Sequence, residues 1–360
     1  MSTPIRIGLI GAGANTRARH LPGFQAIPGV TVTAVCNRTR ASGEKVAAEF
    51  GIARVTQNWR EIIEAPDVDA VCIGTWPNLH GKLAVAALRA GKHVLTEARM
   101  ARNLAEAELM LAESRLHPGL VAQIVPAPMS LPFDATVSEL VNRGALGTLR
   151  EVVLMHMTGG LADSTQPLSW RQDFTLSGKN TLYLGILYEI ALRWLGREVA
   201  SLIADSAIFT RERKDEEGVP QQTTIPESLT VLGAYPPGPG GTHPPFGNPT
   251  PAPGARLVAH FSGVERTAPR SEIRLNGSRA GLRLDLIRNE LWLAPAGAAE
   301  ALVAVEPANR GAWRVEADFI DSIREGKPVR LTDFETGVKY MHFTEAVWNS
   351  WSNGGQRVTL

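Results

Sequence analysis

Six residues near the start of the chain, Gly11-Ala12-Gly13-Ala14-Asn15-Thr16, follow the apolar run Ile5–Ile10 and open a segment that reads as partly helical through Ala26. Gly11 permits a tight turn. Gly13 lets an anion approach the backbone where helix N-terminal N–H groups favour negative charge. Such a turn inside a strand–turn–helix unit is suited to a pyrophosphate. Thr16 stands where the G-x-G-x-x-G pattern has its third glycine, so its side chain is expected to loosen helix-on-strand packing without abolishing the site. Dinucleotide binders usually close the second strand with an acid that accepts the ribose 2′-hydroxyl. Here that place reads Cys36-Asn37-Arg38-Thr39-Arg40, with no acid. Asn37 is neutral, and Arg38 can lie over an adenine or pair with a 2′-phosphate, which favours NADP, with NAD as the alternative.

Three residues are candidates for moving a proton. Lys179 lies in Ser177-Gly178-Lys179-Asn180, and partial desolvation lowers a lysine's pKa enough for base chemistry near neutrality. The plain alternative is an exposed loop lysine. Tyr188 lies five residues after Tyr183, off any one narrow helix face. Either phenol can donate to a substrate oxygen, against the alternative of a core ring with a satisfied hydroxyl. His156 ends a strand, where its ordinary pKa suits proton transfer. No metal site is expected, because the eight histidines are scattered and neither Cys36 nor Cys72 has a partner at ligand spacing. There is no Gly-x-Ser-x-Gly turn and no P-loop lysine.

The elements that must hold these residues follow from hydrophobic period. Through about residue 120, short apolar runs (Ile5–Ile10, Val30–Cys36, Ala70–Ile73, His93–Leu95) alternate with helical stretches (Ser42–Phe50, Leu79–Ala90, and one starting at Asn103). Gly51 and Gly91 are placed to stop the first two helices, and Glu106 follows Asn103 as in a capping box. This alternation predicts a parallel sheet covered by helices on both faces. After Pro126 comes a helix over Phe133–Arg143, then longer strands at Leu149–Met157, Ala200–Phe209, Ser228–Ala234, Arg256–Phe261, Ser271–Asn276, Gly281–Leu286 and Glu290–Leu293. These suit a largely antiparallel sheet. Residues 236–254, with eight prolines and five glycines, read as a surface loop. Helices over Trp313–Glu325 and Phe334–Trp351 close the chain.

The whole is 360 residues, 44% hydrophobic and 20% charged, with net charge +1. That composition argues for about two domains with ample core and against a protein built around a phosphate backbone. No apolar run reaches the roughly 18 residues of a membrane helix. The N-terminus lacks a signal-peptide pattern, and the two cysteines read as free thiols, so a cytoplasmic protein acting on small molecules is expected.

Several longer segments resemble the Gfo/Idh/MocA family, the glucose–fructose oxidoreductase and inositol dehydrogenase group. They are Gly74-Thr75-Trp76-Pro77-Asn78-Leu79-His80, then Ala86 to Leu95, Asn142 to Gly147, Trp170 to Asp173, Leu192-Arg193-Trp194-Leu195-Gly196, Phe319–Pro328 and Ala346–Leu360. The resemblance implies an α/β fold: an N-terminal Rossmann domain (residues 1–125), doubly wound, and a C-terminal α+β domain (126–360) with a large open-faced, mostly antiparallel sheet. The last helix is expected to pack back on the first domain. It implies NAD(P)-dependent hydride chemistry on a sugar, polyol or related carbonyl compound, and a homo-oligomer, dimer or tetramer, formed through the open sheet face. The expected cofactor contacts are Gly11, Gly13, Ala14, Asn15, Thr16, Asn37, Arg38, Thr75, Trp76, Asn78, His80, Glu97 and Ala98. His80 is expected to shape a turn near the cofactor, and His20 lies near the first turn.

The sequence departs from the family at its chemistry. The family's Glu-Lys-Pro reads Glu97-Ala98-Arg99 here, and an alanine methyl moves no proton. Counting back from Arg193 puts Leu187 and Ile190 where the family has a His and an Asp, while a one-residue shift brings in Tyr188 and Glu189. The expected proton handlers are therefore Lys179, Tyr188 and His156. Two further readings stay open: a redox-neutral lyase, hydrolase or epimerase using bound dinucleotide, and a non-catalytic cofactor-binding protein.

Overall fold

The computed structural model describes residues 4–237 and 254–360. The chain divides into two compact units. The first is Met1–Pro126 together with Thr175–Gly178 and Trp313–Met341, and the second is the remainder. A single cut after residue 125 therefore misses part of the first unit. The core explains why: Val315, Phe319 and Ile320 are buried in one cluster with Ile5, Ile7, Leu9 and Phe24. Most of the Pro/Gly stretch 236–254 lies outside the described residues.

Six parallel strands form the first unit's sheet: β1 (Ile5–Ile10), β2 (Val30–Cys36), β3 (Arg54–Thr56), β4 (Ala70–Ile73), β5 (His93–Thr96) and β6 (Ala122–Ile124), in the order β3-β2-β1-β4-β5-β6. The order reverses at β1/β4, the switch point at which open α/β sheets bind ligands beyond the strands' carboxyl ends. β4 is buried at all four residues, as a strand covered on both faces must be. Between the strands run α1 (Leu21–Gln25), α2 (Arg40–Phe50), α3 (Arg60–Ile63), α4 (Pro77–Arg89) and α5 (Leu104–Leu116). Asn103 caps α5 by accepting from the Glu106 N–H at 2.9 Å, and Gly51 ends α2 in the left-handed region at φ 67°.

The second unit carries α6 (Asp134–Asn142), β7 (Leu149–Met157), the short turn of helix α7 (Phe174–Ser177, three of whose residues belong to the first unit) and α8 (Leu184–Leu195). Then come β8 (Ser201–Ala207), a small hairpin β9 (Glu212–Lys214) and β10 (Pro220–Gln222), β11 (Ser228–Ala234), β12 (Arg256–Ser262), β13 (Arg270–Gly277), β14 (Ala280–Asp285), β15 (Glu290–Pro295) and β16 (Ala301–Leu302). α9 (Val315–Glu325) and the first part of α10 (Phe334–Ser352) belong to the first unit, the rest of α10 to the second, and β17 (Val358–Thr359) follows. The large sheet has nine strands in the order β16-β15-β14-β13-β7-β12-β11-β8-β17. Every pairing in it is antiparallel except β7 with β12, which run parallel. Val152 and Leu154 on β7 are fully buried while Val153 and Met155 are not, the alternation of a sheet with one covered face. Among the described residues, no helix is long and apolar enough to cross a membrane.

Candidate active site

The glycine-rich turn has the backbone its residue types require. Gly11 adopts φ 88°, and a Cβ there would meet the Thr75 backbone nitrogen at 2.7 Å. Gly13 is different. A Cβ on it would find nothing nearer than the Gly74 carbonyl oxygen at 3.9 Å, so its bare face is open. The helix begins at Ala14 and Asn15, whose first-turn N–H groups have no intrahelical acceptor. Open backbone, free first-turn amides and the sheet's switch point together fit a dinucleotide's pyrophosphate.

Thr16 does not loosen this turn. It is buried, its hydroxyl donates to the Gly11 carbonyl at 3.2 Å, and it sits over the bare Cα of Gly74, where a Cβ would collide with it. Gly74 supplies the close approach expected from a third motif glycine. Thr16 is therefore an anchor of the turn rather than a ligand contact. Thr16–His20 continue as a π-helical turn that turns both of those side chains inward.

Asn37 also serves the turn, because its Oδ1 accepts from the Ala12 N–H at 2.8 Å. That acceptor is thus engaged, in contrast to the ribose contact expected from sequence. The Arg38 guanidinium lies 5.8 Å from the Trp76 ring centroid, and Trp76 is 37% exposed. Thr75 donates to the Trp76 carbonyl at 3.2 Å. Asn78 keeps a buried Oδ1 with no hydrogen-bond partner among the described residues, an acceptor without a donor in the first turn of α4.

His80 is fully buried, with Nδ1 2.9 Å from the Arg99 carbonyl and Nε2 3.0 Å from the Thr75 carbonyl. It ties the turn after β4 to the turn after β5, so its part is to shape the site and not to touch a ligand. Burial pushes its pKa down. Glu97 leaves β5 with a partly exposed side chain and accepts from the Asn15 amide and from His20. Burial opposes its ionisation, yet the His20 hydrogen bond and charge, with Asn15, hold its pKa below the usual carboxylate range. Ala98, which is half-buried, follows it with no ionisable group to offer.

In the second unit the three candidate proton handlers part ways. Tyr188 is fully buried, stacked on Phe343 at 3.7 Å between centroids, and its hydroxyl accepts the Val199 N–H at 2.9 Å. It is a core residue whose phenol burial holds strongly protonated, which removes it from proton transfer. Leu187 and Ile190 are fully buried as well, and Glu189 pairs with Arg193 at 2.9 Å while accepting from the Ala127 N–H. Whichever register is right, α8 offers no ready proton carrier.

Lys179 is one-fifth exposed and forms an ion pair with Glu345 of α10, 166 residues away, a partner without any sequence signal. It directly follows Gly178, whose Cα side packs against the Arg102 backbone in the first unit. His156 stacks on Tyr183 with centroids 3.9 Å apart, and its Nδ1 lies 2.9 Å from the Ser271 hydroxyl. Burial lowers the His156 pKa, while Tyr183 stays 40% exposed. A further aromatic pair, Phe174 and Trp348, lies at 5.3 Å, with Trp348 one helical turn from Glu345. Among the described residues no group of three or more His, Cys, Asp or Glu is arranged to hold a metal.

An open Gly-x-Gly turn at the switch point of a six-stranded parallel sheet is the arrangement of the dinucleotide-binding class of α/β folds. Residues 5–122 match the GFO_IDH_MocA family model, described as an oxidoreductase family with an NAD-binding Rossmann fold. A levoglucosan dehydrogenase from Pseudarthrobacter phenanthrenivorans is 30% identical over 187 residues, 49% of this chain and 47% of that protein. A dTDP-3,4-didehydro-2,6-dideoxy-alpha-D-glucose 3-reductase from Actinomadura kijaniata is 31% identical over 149 residues, 41% of this chain and 44% of that one. The chain thus aligns with about half the length of these curated relatives. In three dimensions a levoglucosan dehydrogenase solved with NADH and L-sorbose superposes with a TM-score of 0.83, covering 99% of this chain and 98% of that one at 21% identity. An inositol dehydrogenase homologue from Azotobacter vinelandii, solved with NAD+, gives a TM-score of 0.80 at 19% identity, covering 99% and 98%. These two likenesses establish the two-unit fold.

Proposed function

We propose that this protein is an NAD(P)-dependent dehydrogenase of a sugar, polyol or related carbonyl compound, with a proton handler other than the family lysine. The observation that carries it is the open face of Gly13 at the first helix start, with Glu97, just after β5, accepting from the Asn15 amide beside it. The sugar-processing relatives support the substrate class.

Gly11, Gly13, Ala14 and Asn15 would hold the pyrophosphate, with Arg38 and Trp76 toward the adenosine and Asn78 and Glu97 as hydrogen-bonding groups. A bound nicotinamide supplies hydride transfer. With Ala98 inert, Lys179 is the proton carrier: its ammonium, held in place by Glu345, donates a proton to the substrate carbonyl oxygen in the reductive direction. His156 and Tyr183 present a stacked pair against which a sugar face can pack, and His156, kept neutral by burial, is the second proton carrier. Arg38 favours NADP over NAD, since the second strand ends with no acid to repel a 2′-phosphate.

The protein is also read as a homo-oligomer. On the uncovered sheet face Ile203, Leu232, Val258 and Val153 align in one row across β8, β11, β12 and β7, and Leu232 is 39% exposed. A second copy would cover such a row.

The test mixes purified protein with NADPH or NADH and a panel of sugars, polyols and aldehydes, following 340 nm absorbance with cofactor affinity measured in parallel. Turnover on a sugar or polyol is expected. Product without net absorbance change, or binding with no product, refutes net hydride transfer. Arg38→Ala is expected to weaken NADPH by about tenfold while leaving NADH nearly unchanged, the size of one charge-assisted contact.

A further inference from the structure

One buried cluster of the first unit has no part in the reading above. His20 is fully buried at the end of the π-helical turn. Each ring nitrogen faces a carboxylate: Nδ1 lies 2.5 Å from Glu316 Oε1, and Nε2 lies 3.0 Å from Glu97 Oε1. A neutral imidazole has a single N–H, so only the imidazolium can donate to both. Glu316, on α9, also accepts from the Trp313 indole N–H at 2.8 Å, which accounts for its far side. The Arg19 guanidinium covers Trp313 at 5.5 Å from the ring centroid.

Both hydrogen bonds to the Glu97 carboxylate, from Asn15 and from His20, fall on Oε1. Oε2 accepts none from the described residues, and the side chain is 16% exposed. One carboxylate oxygen is therefore locked and the other is left to a ligand, beside the Asn15 helix start. Two buried carboxylates on either side of a neutral ring would repel, and one would take up a proton. A protonated Glu97 donates instead of accepting.

We infer that His20, backed by Glu316, is a positioning residue that keeps Glu97 ionised and its Oε2 free to accept from a hydroxyl or amide donor of the bound dinucleotide. The inference rests on the dinucleotide reading of this site. Electrostatics agree with the geometry. Burial alone would lower the His20 pKa, but the hydrogen bonds of Glu316 and Glu97 raise it to about 9. The other titratable groups acting here are His80, which favours the Glu97 anion, and Cys72, whose thiol is pushed up by burial and by both carboxylates and stays neutral.

The experiment measures NADH and NADPH affinity by calorimetry from mildly acidic to alkaline pH, for wild type, His20→Gln and Glu316→Gln. His20 charge is read in parallel by NMR of labelled imidazole. Wild-type affinity is expected to hold through neutrality and to weaken as His20 deprotonates. Glu316→Gln keeps the volume but removes one supporting charge. It should match wild type near pH 6 and bind about threefold more weakly by pH 8, as its imidazole deprotonates earlier. His20→Gln should bind about tenfold more weakly at pH 7 and lose the pH dependence.

A folded His20→Gln protein with wild-type affinity, or a neutral His20 imidazole at pH 7 in the wild type, overturns the inference and leaves the dinucleotide site standing. If His20→Gln does not fold, the NMR charge state and the Glu316→Gln profile decide. Wild-type protein that binds neither nucleotide overturns the dinucleotide reading, and this inference with it.

Discussion

Gly11 and Gly13 stand two residues apart and should fail in opposite ways when each is replaced by alanine. A Cβ at Gly13 meets nothing closer than 3.9 Å, and its φ lies outside the left-handed region. Alanine there fits the fold and should stabilise it by about 0.4–1 kcal/mol through the unfolded chain. Its methyl would occupy the face at which a pyrophosphate approaches the backbone. Forcing a methyl into a preformed contact costs about 1–3 kcal/mol, or roughly 5- to 150-fold in Kd. Gly11→Ala inverts the pattern, because φ 88° and a 2.7 Å approach to the Thr75 nitrogen strain the fold itself. A loss of about 1–3 kcal/mol in stability is expected there. Thermal denaturation and calorimetric titration with NADH and NADPH on both variants separate the two effects. A Gly13→Ala protein that keeps wild-type dinucleotide affinity would refute the assignment of Gly13 to the cofactor, and with it the main support for the proposed activity.

Two other substitutions probe the second unit. Lys179→Ala should cut turnover by about a hundredfold or more, the low end for a lost general acid–base group, with cofactor affinity unchanged; a normal rate removes Lys179 from the mechanism. Tyr188→Phe should leave kcat and KM unchanged but lower stability by about 1–3 kcal/mol, because the buried Val199 N–H loses its acceptor. A fall in kcat with stability intact would return Tyr188 to the chemistry.

The sequence by itself determined the elements whose signals are local. β4 is a continuous apolar run because both of its faces are covered, and β1, β2 and β5 are mostly apolar runs interrupted at Arg6, at Thr31 and Thr33, and at His93. Gly51 stops α2 and Asn103 starts α5 by chemistry that depends only on neighbours within a turn. The Gly11-x-Gly13 turn was legible for the same reason. Very short strands such as β3, β9 and β16 carry too few residues to show a period, and they form only because a neighbour offers hydrogen bonds.

What the tertiary structure alone decided are pairings between residues far apart in the chain. Glu316 meets His20 across 296 positions, and Lys179 meets Glu345 across 166. β7 lies parallel to β12 although the rest of that sheet is antiparallel. No spacing rule connects such partners, since packing of the whole core brings them together. The same packing showed that Thr16 anchors its turn over Gly74, that His80 braces two turns, and that Tyr188 belongs to the core. Residue type states what a side chain can do, but burial and partner decide whether it does so, and both are properties of the folded chain.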